Sequence, residues 1–293
     1  MDEKIAIIGA GQLGRALGKV FARGQYEINL WDREPGEDVV DLPEALSGAQ
    51  LVFFAVPSIS LREAIIYCKP YMETEAVSII LTKGLCDGRL PVELAASLLP
   101  RRPLAVVGGP MLAEELAEDL GGGAVIAGNA PKVTKKLAEL FSSVDLAVEE
   151  SLDISGISAA GILKNIYAIG AGSLDALSAG NDLQGMYLSR AWNEMAKIIP
   201  FLGGEKESAL GWAGLGDLIA TASSRQSDNF EFGRCLSLGN KPARDGEGFR
   251  SLAGIIRRVG PARMKNLPIL AVLGKICDGD KPVGEILLKS FYH

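Results

Sequence analysis

Residues 4–14 read K-I-A-I-I-G-A-G-Q-L-G. An apolar run long enough for one strand passes directly into glycines at Gly9, Gly11 and Gly14, and helical spacing begins at Gln12. That order of strand, glycine turn and helix start is the one that receives a dinucleotide. Gly9 permits the tight turn, Gly11 lets the backbone approach a pyrophosphate, and Gly14 lets helix and strand pack closely. The helix N-terminus then turns its N–H groups toward the phosphates. A lone G-x-G-x-x-G is a weak signal, but here a second strand follows over 27–31 and ends in Asp32, 18 residues after Gly14. A carboxylate there accepts both hydroxyls of the adenosine ribose and repels a 2′-phosphate, which favours NAD. Arg33 beside it is able to accept that phosphate, so NADP stays open.

Outward from this stretch, strand and helix patterns alternate. Apolar runs at 51–56, 76–81, 104–107, 124–127 and 146–148 read as strands, and 12–23, 58–69, 91–98, 113–119 and 131–141 read as helices. Such alternation implies an α/β fold with a Rossmann-type doubly wound parallel sheet. After Ser151 the strand signals stop. Helical spacing runs over 157–177, crowded with Ala and Gly, and over 183–202, where Gly203-Gly204 is a usual stop. The expected division is a dinucleotide-binding domain over 1–150 and an all-helical substrate and catalytic domain over 151–293.

The chain has 293 residues, enough for about two domains at ~150 each. Its net charge is −6 and its basic residues are scattered, which argues against a nucleic-acid partner but not against a small anionic one. No apolar run approaches the ~18 residues of a membrane span, and the acidic M-D-E-K start does not read as a signal peptide. The four cysteines, Cys68, Cys86, Cys235 and Cys277, form no C-x-x-C pair, and the one histidine is His293. No metal site is expected; free thiols suit a reducing cytoplasm. Proton transfer must then use a side chain other than imidazole.

Three residues stand out for that task. Lys83, in T-K-G, follows a strand at the edge where open α/β sheets bind ligands; many lysines so placed are simply solvated. Lys164 shares a helical face with Ile157, Gly161, Ala168 and Ala171, a small apolar surface unusual for a lysine. Unless it snorkels to solvent, desolvation and a nearby Lys83 would lower its pKa toward that of a general acid/base. Asp217, in G-L-G-D, is able to orient an ammonium, with Thr221 one helical turn on; a plain helix N-cap is the ordinary alternative. The glycines before it are read as allowing close backbone approach.

With these residues in order, the chain resembles the bacterial-type NAD(P)-dependent glycerol-3-phosphate dehydrogenases. The match includes G-A-G-Q-L-G, Val56-Pro57-Ser58, T-K-G, Gly109-Pro110 with Ala113-Glu114-Glu115, L-K-N, and G-L-G-D-L with Thr221. It continues through Asn229 and Phe232-Gly233, Glu247-Gly248 and Leu267-Pro268-Ile269. The resemblance implies interconversion of dihydroxyacetone phosphate and sn-glycerol 3-phosphate, with Lys164 moving the proton, Lys83 polarising the substrate oxygen and Asp217 anchoring Lys164. It implies substrate contacts at Gly109, Asn165, Thr221, Ser227 and Asn229, and cofactor contacts at Gln12, Leu13, Pro57, Lys83, Ala113, Asp228 and Glu247 besides the glycines, Asp32 and Arg33. A small-residue helical domain is also compatible with a homodimer.

The chain departs from that pattern. Counting ten residues from Asp217 aligns Ser227-Asp228-Asn229 with the family's Ser-Arg-Asn, so an aspartate stands where an arginine grips phosphate. Met111 replaces a serine, and the segment between Asp32 and Leu51 is shorter than usual. Losing a bidentate donor and gaining repulsion costs several kcal/mol at a partly buried site. Arg225, three residues upstream, is the candidate to compensate. Three readings follow: a glycerol-3-phosphate dehydrogenase with another phosphate donor, a related dehydrogenase of a non-phosphorylated hydroxy or keto substrate, and a cofactor-binding sensor or assembly protein with weakened catalysis.

Overall fold

The computed structural model describes residues 3–24, 26–276 and 283–291, so Cys277 and His293 lie outside the described residues. Among the described residues seven strands form one sheet: β1 (Lys4–Ile8), β2 (Glu27–Trp31), β3 (Leu51–Phe54), β4 (Val77–Ile80), β5 (Leu104–Gly108), β6 (Gly123–Gly128) and β7 (Ala147–Ser151). Their order is β2-β1-β3-β4-β5-β6-β7. Neighbours are parallel except β5 and β6, which pair antiparallel from Ala105↔Gly128 to Gly108↔Val125. The expected doubly wound, mainly parallel sheet is present, and its one antiparallel pair is joined through the short α5 (Ala113–Ala117). Its predicted extension to residue 119 is cut off where Asp119 turns to φ +61°.

Helices α1 (Gln12–Phe21), α2 (Leu42–Leu46), α3 (Ser58–Cys68), α4 (Pro91–Leu98) and α6 (Pro131–Ser142) connect the remaining strands. β3, L-V-F-F, is buried at every residue, as a strand covered on both faces must be. Along β1, Ile5 and Ile7 join one core with Phe21, Phe53 and Phe141, while Ala6 and Ile8 join the other. The Phe21 ring lies 5.2 Å from Phe53 and 5.4 Å from Phe141 between centroids. α1 ends at Phe21, two residues short of the predicted end, and tightens into a 3₁₀ turn over Ala22–Gly24.

Beyond β7 the described structure is helical. α7 (Ile154–Ala176) is followed by α8 (Asn181–Ile198), a π-helical turn at Trp212–Gly216, α9 (Asp217–Ala222), α10 (Asp228–Ser237), α11 (Glu247–Val259), α12 (Pro261–Met264), α13 (Pro268–Gly274) and α14 (Val283–Lys289). α7 carries no single apolar face; it is buried all round from Gly156 to Leu174, packed by α8, α9, α10, α11, α14 and β5. It is long and apolar enough to cross a membrane by length and composition, yet its apolar stretch is 89% buried inside the protein, so it is a core helix. Its small residues have a steric purpose. A Cβ on Gly172 would stand 1.9 Å from the Phe230 carbonyl oxygen, and one on Gly233 1.9 Å from that of Ile169. α10 therefore lies directly on the α7 backbone.

Candidate functional site

The glycine turn after β1 is built as a cradle. Gly9 has φ +110°, and a Cβ there would meet the Ala55 carbonyl oxygen at 2.6 Å. A Cβ on Gly14 would stand 1.9 Å from the Gly9 carbonyl oxygen. Gly11 differs: nothing lies within 4 Å of its Cβ position. It is the N-cap of α1 and has no side chain with which to cap, so the first N–H groups of the helix have no side-chain partner there. Asp32, at the end of β2, accepts from the Ala10 N–H at 2.6 Å and from the Glu34 N–H at 3.2 Å, which ties the second strand to the turn. A cavity of about 1120 Å³ opens here, bounded by Gly9, Gly11, Asp32, Arg33, Val56 and Pro57 among others; the lysines are not part of its wall.

The proton-transfer candidates converge on one another. Lys83 follows β4, Lys164 sits mid-way along α7, and Asp217 opens α9 straight after the π turn. Lys83 Nζ donates to Asp217 Oδ2 at 2.7 Å and to the Gly109 carbonyl at 3.1 Å. Lys164 Nζ lies 3.0 Å from Asp217 Oδ1 and donates to Thr221 Oγ1 at 2.7 Å. Thr221 in turn donates to Asp217 Oδ1 at 3.3 Å. Asp217 does not cap its helix; its carboxylate is spent on the two ammonium groups. The π turn brings it there, and Gly214 permits the turn, since a Cβ would stand 2.3 Å from the Ala209 carbonyl oxygen. Gly216 meets only ordinary contacts at 3.6 Å and beyond, so the expectation that both glycines serve close approach holds for Gly214 alone.

Electrostatics follow from burial. Lys164 is 6% exposed and does not snorkel, because α7 is surrounded. Desolvation, with the Lys83 cation adding to it, brings its pKa down to about 8 even though Asp217 pulls the other way. Burial alone would raise the Asp217 carboxyl, but Lys164 and Lys83 outweigh it and hold it below the usual carboxylate range.

Three further elements close on the same point. Asn165 Nδ2 donates to the Lys83 carbonyl at 2.9 Å. A Cβ on Gly248 would stand 2.3 Å from the Asn165 carbonyl oxygen, so α11 starts against α7 at that residue. The Gly248 N–H is held by Asn229 Oδ1 at 2.8 Å, which brings the start of α10 to the start of α11. Glu247 then reaches across to the start of α3, accepting from the Ser58 N–H at 2.9 Å and from its hydroxyl at 2.5 Å.

The family model described as the NAD-dependent glycerol-3-phosphate dehydrogenase C-terminus matches residues 153–288, and its N-terminal counterpart matches 36–134. The glycerol-3-phosphate dehydrogenase [NAD(P)+] of Agrobacterium fabrum is 32% identical across 97% of this chain and 96% of that protein. The chain belongs to the NAD(P)-dependent glycerol-3-phosphate dehydrogenase family. It is accordingly an NAD(P)-dependent dehydrogenase acting on a CH–OH group, with NAD or NADP as cofactor. The crystal structure of the Coxiella burnetii glycerol-3-phosphate dehydrogenase superposes with a TM-score of 0.89 at 28% identity, covering 100% of this chain and 99% of that one. A ketopantoate reductase from Ralstonia eutropha shares the fold at 20% identity, with a TM-score of 0.61.

The cradle fits the family's cofactor: Gly11 leaves room where a side chain would intrude, the α1 N–H groups have no side-chain cap, and the Asp32 carboxylate is fixed beside the turn by the Ala10 N–H. Among the other residues expected from the dehydrogenase pattern, Gly109 (φ +97°) joins the cluster of Lys83, Lys164 and Asp217 through its carbonyl, which accepts from Lys83. Pro57 is the N-cap of α3, and Ala113 opens α5. Ser227 is buried as the N-cap of α10, accepting from the Phe230 N–H at 3.4 Å. Asp228 is the exposed first residue of that helix, where an acid suits the helix dipole whatever else it does. Arg225 is 72% exposed and 3.7 Å from Asp175, and Arg33 is paired at 2.7 Å with Glu63. Sequence reasoning missed the Ser58–Glu247 bond, which joins the start of α3 to α11, and the Leu85 N–H bond to Ser251 Oγ at 2.9 Å, which joins the segment after β4 to α11. The signal was present in Gly84: a Cβ there would stand 2.0 Å from Glu247 Oε2, so T-K-G needs its glycine for that approach.

Proposed function

We propose that the chain interconverts dihydroxyacetone phosphate and sn-glycerol 3-phosphate, with Lys164 as general acid/base. The observation behind this reading is the buried Lys164 ammonium, about one hydrogen bond from a carboxylate that it shares with Lys83. When bound, the reduced nicotinamide supplies the hydride. In the reduction, Lys164 gives a proton to the oxygen that was the carbonyl; in the oxidation, neutral Lys164 takes the hydroxyl proton. Lys83 polarises that oxygen, and Asp217, Thr221 and Asn165 hold the two lysines in place. Residues 1–150 bind the dinucleotide through the glycine turn, with Gln12, Leu13, Pro57, Ala113, Asp228 and Glu247 as further contacts. Residues 151–293 carry the proton-transfer group, and Gly109, Ser227 and Asn229 contact the substrate. A homodimer, which the helical domain allows, and a cytoplasmic location, which the free thiols of Cys68, Cys86 and Cys235 suit, belong to the same reading.

A second reading, a dehydrogenase of a non-phosphorylated substrate, is favoured by Asp228 together with Arg225, whose guanidinium is turned to Asp175. One experiment separates them: oxidation of NADH and NADPH followed with dihydroxyacetone phosphate and with non-phosphorylated ketones. Turnover with dihydroxyacetone phosphate supports the first reading, and turnover confined to the other ketones overturns it. Loss of phosphate-substrate affinity in Arg225→Ala would identify Arg225 as the compensating donor; unchanged affinity would exclude it.

A further inference from the structure

The wall of the large cavity beside Asp32 has an uneven charge. Its charged residues are Asp32, Glu34, Asp41, Glu44 and Glu63 against Arg33 alone. Four of the acids, Asp32, Glu34, Asp41 and Glu44, come from the short segment between β2 and β3, which contributes only the five-residue α2 at this rim. Both guanidinium groups near the glycine turn are already engaged. Arg33 donates to Glu63 at 2.7 Å. Arg15 donates its Nε–H to the Ala10 carbonyl at 2.7 Å and pairs with Asp38.

We propose that this acidic rim, with Glu63 occupying Arg33, makes the enzyme selective for NAD(H) over NADP(H). The inference rests on the cofactor site described above. The chemistry is asymmetric at one atom. A ribose 2′-hydroxyl donates a hydrogen bond, and Asp32 keeps lone pairs free to accept it beyond those used by the Ala10 and Glu34 N–H groups. A 2′-phosphate offers acceptors only and brings about two negative charges into a site walled by carboxylates. To bind it, Arg33 would have to leave Glu63, which adds one more unpaired acid to the same rim. Selectivity of this kind works by penalising the wrong ligand rather than by adding contacts to the right one.

The test is equilibrium binding of NADH and NADPH, followed by cofactor fluorescence at low and high salt. The wild-type chain is expected to bind NADPH at least ~10-fold more weakly than NADH, with the gap narrowing as salt screens the rim. Glu63→Gln, at a 65% exposed side chain outside the core, should raise the NADPH-to-NADH affinity ratio several-fold by releasing Arg33. Glu44→Gln should raise it by less, since it removes charge without freeing a cation. Equal affinity for the two nucleotides in the wild type, or an unchanged ratio in both variants, overturns the proposal and leaves the cofactor site standing. Failure of both nucleotides to bind overturns the site itself and the proposal with it.

Discussion

Lys164 Nζ stands 3.0 Å from Asp217 Oδ1, and neither side chain meets solvent to any useful extent. The other carboxylate oxygen is taken by Lys83 at 2.7 Å, so one buried anion faces two cations. The cluster has one positive charge too many until Lys164 gives up a proton. That imbalance is what a developing alkoxide would neutralise, and it links the charge of the site to the state of the substrate.

The pH dependence should have opposite signs in the two directions. With the Lys164 pKa near 8, ketone reduction needs the protonated amine and should fall as pH rises through about 8. Alcohol oxidation needs the neutral amine and should rise over the same range. Parallel profiles of kcat in the two directions would show that another group moves the proton.

Removing the amine gives a more direct test. Lys164→Ala should lower kcat by roughly 10²–10⁴, the usual worth of a general acid/base. Its nearest neighbours are Asp217 and Thr221 rather than the glycine cradle, so cofactor affinity by fluorescence titration should change little. Near-normal turnover in this variant would remove Lys164 from the mechanism.

Asp217→Asn should damage both stability and pH behaviour. Taking the anion from two buried or half-buried ammonium groups leaves charge uncompensated, which costs ~3–5 kcal/mol in comparable pairs. Asp217 raises the Lys164 pKa, so its loss should shift the oxidation profile to lower pH. Denaturant unfolding and a kcat profile check the two effects separately, and a variant unchanged in both would disprove the shared role of the carboxylate.

Much of this was legible in the sequence because the physics is local. Residues 4–14 and Asp32 declare a strand, a tight turn and a second strand end within about thirty residues, and those elements form where expected. Lys164 was legible because an ammonium on a face of Ala and Gly demands an explanation. The antiparallel β5–β6 pair was not, since an apolar strand carries no mark of its direction. The two-sided burial of α7 depends on partners up to about a hundred residues away, and Ser58–Glu247 spans 189 positions, so neither leaves a pattern within one window. Asp228 illustrates the converse: its identity was clear, but its exposed place at the first turn of α10 required the fold.

Gly14 and Gly11 should respond differently to alanine. Gly14→Ala puts a methyl 1.9 Å from a backbone oxygen and should lower the melting temperature markedly. Gly11→Ala meets nothing within 4 Å and should leave the melting temperature of the cofactor-free protein nearly unchanged, while weakening nucleotide binding by intruding where the pyrophosphate approaches. Equal losses of stability in both variants would contradict the assignment of open ligand space to Gly11.

Glu247 offers the last test, because it joins α11 to the start of α3. Its carboxylate accepts both the Ser58 N–H and the Ser58 hydroxyl, and Arg250 braces it at 3.3 Å. Glu247→Ala leaves two donors of a 3%-exposed serine without a partner, a loss of about 1–3 kcal/mol. Ser58 follows Pro57, which borders the cofactor cavity, so loosening this bond should raise the KM for nucleotide more than it lowers kcat. Glu247→Gln keeps one acceptor oxygen and should recover part of both stability and affinity. If alanine and glutamine behave alike, with kcat lost and nucleotide affinity intact, Glu247 acts on the reacting atoms instead of holding α11 to the start of α3.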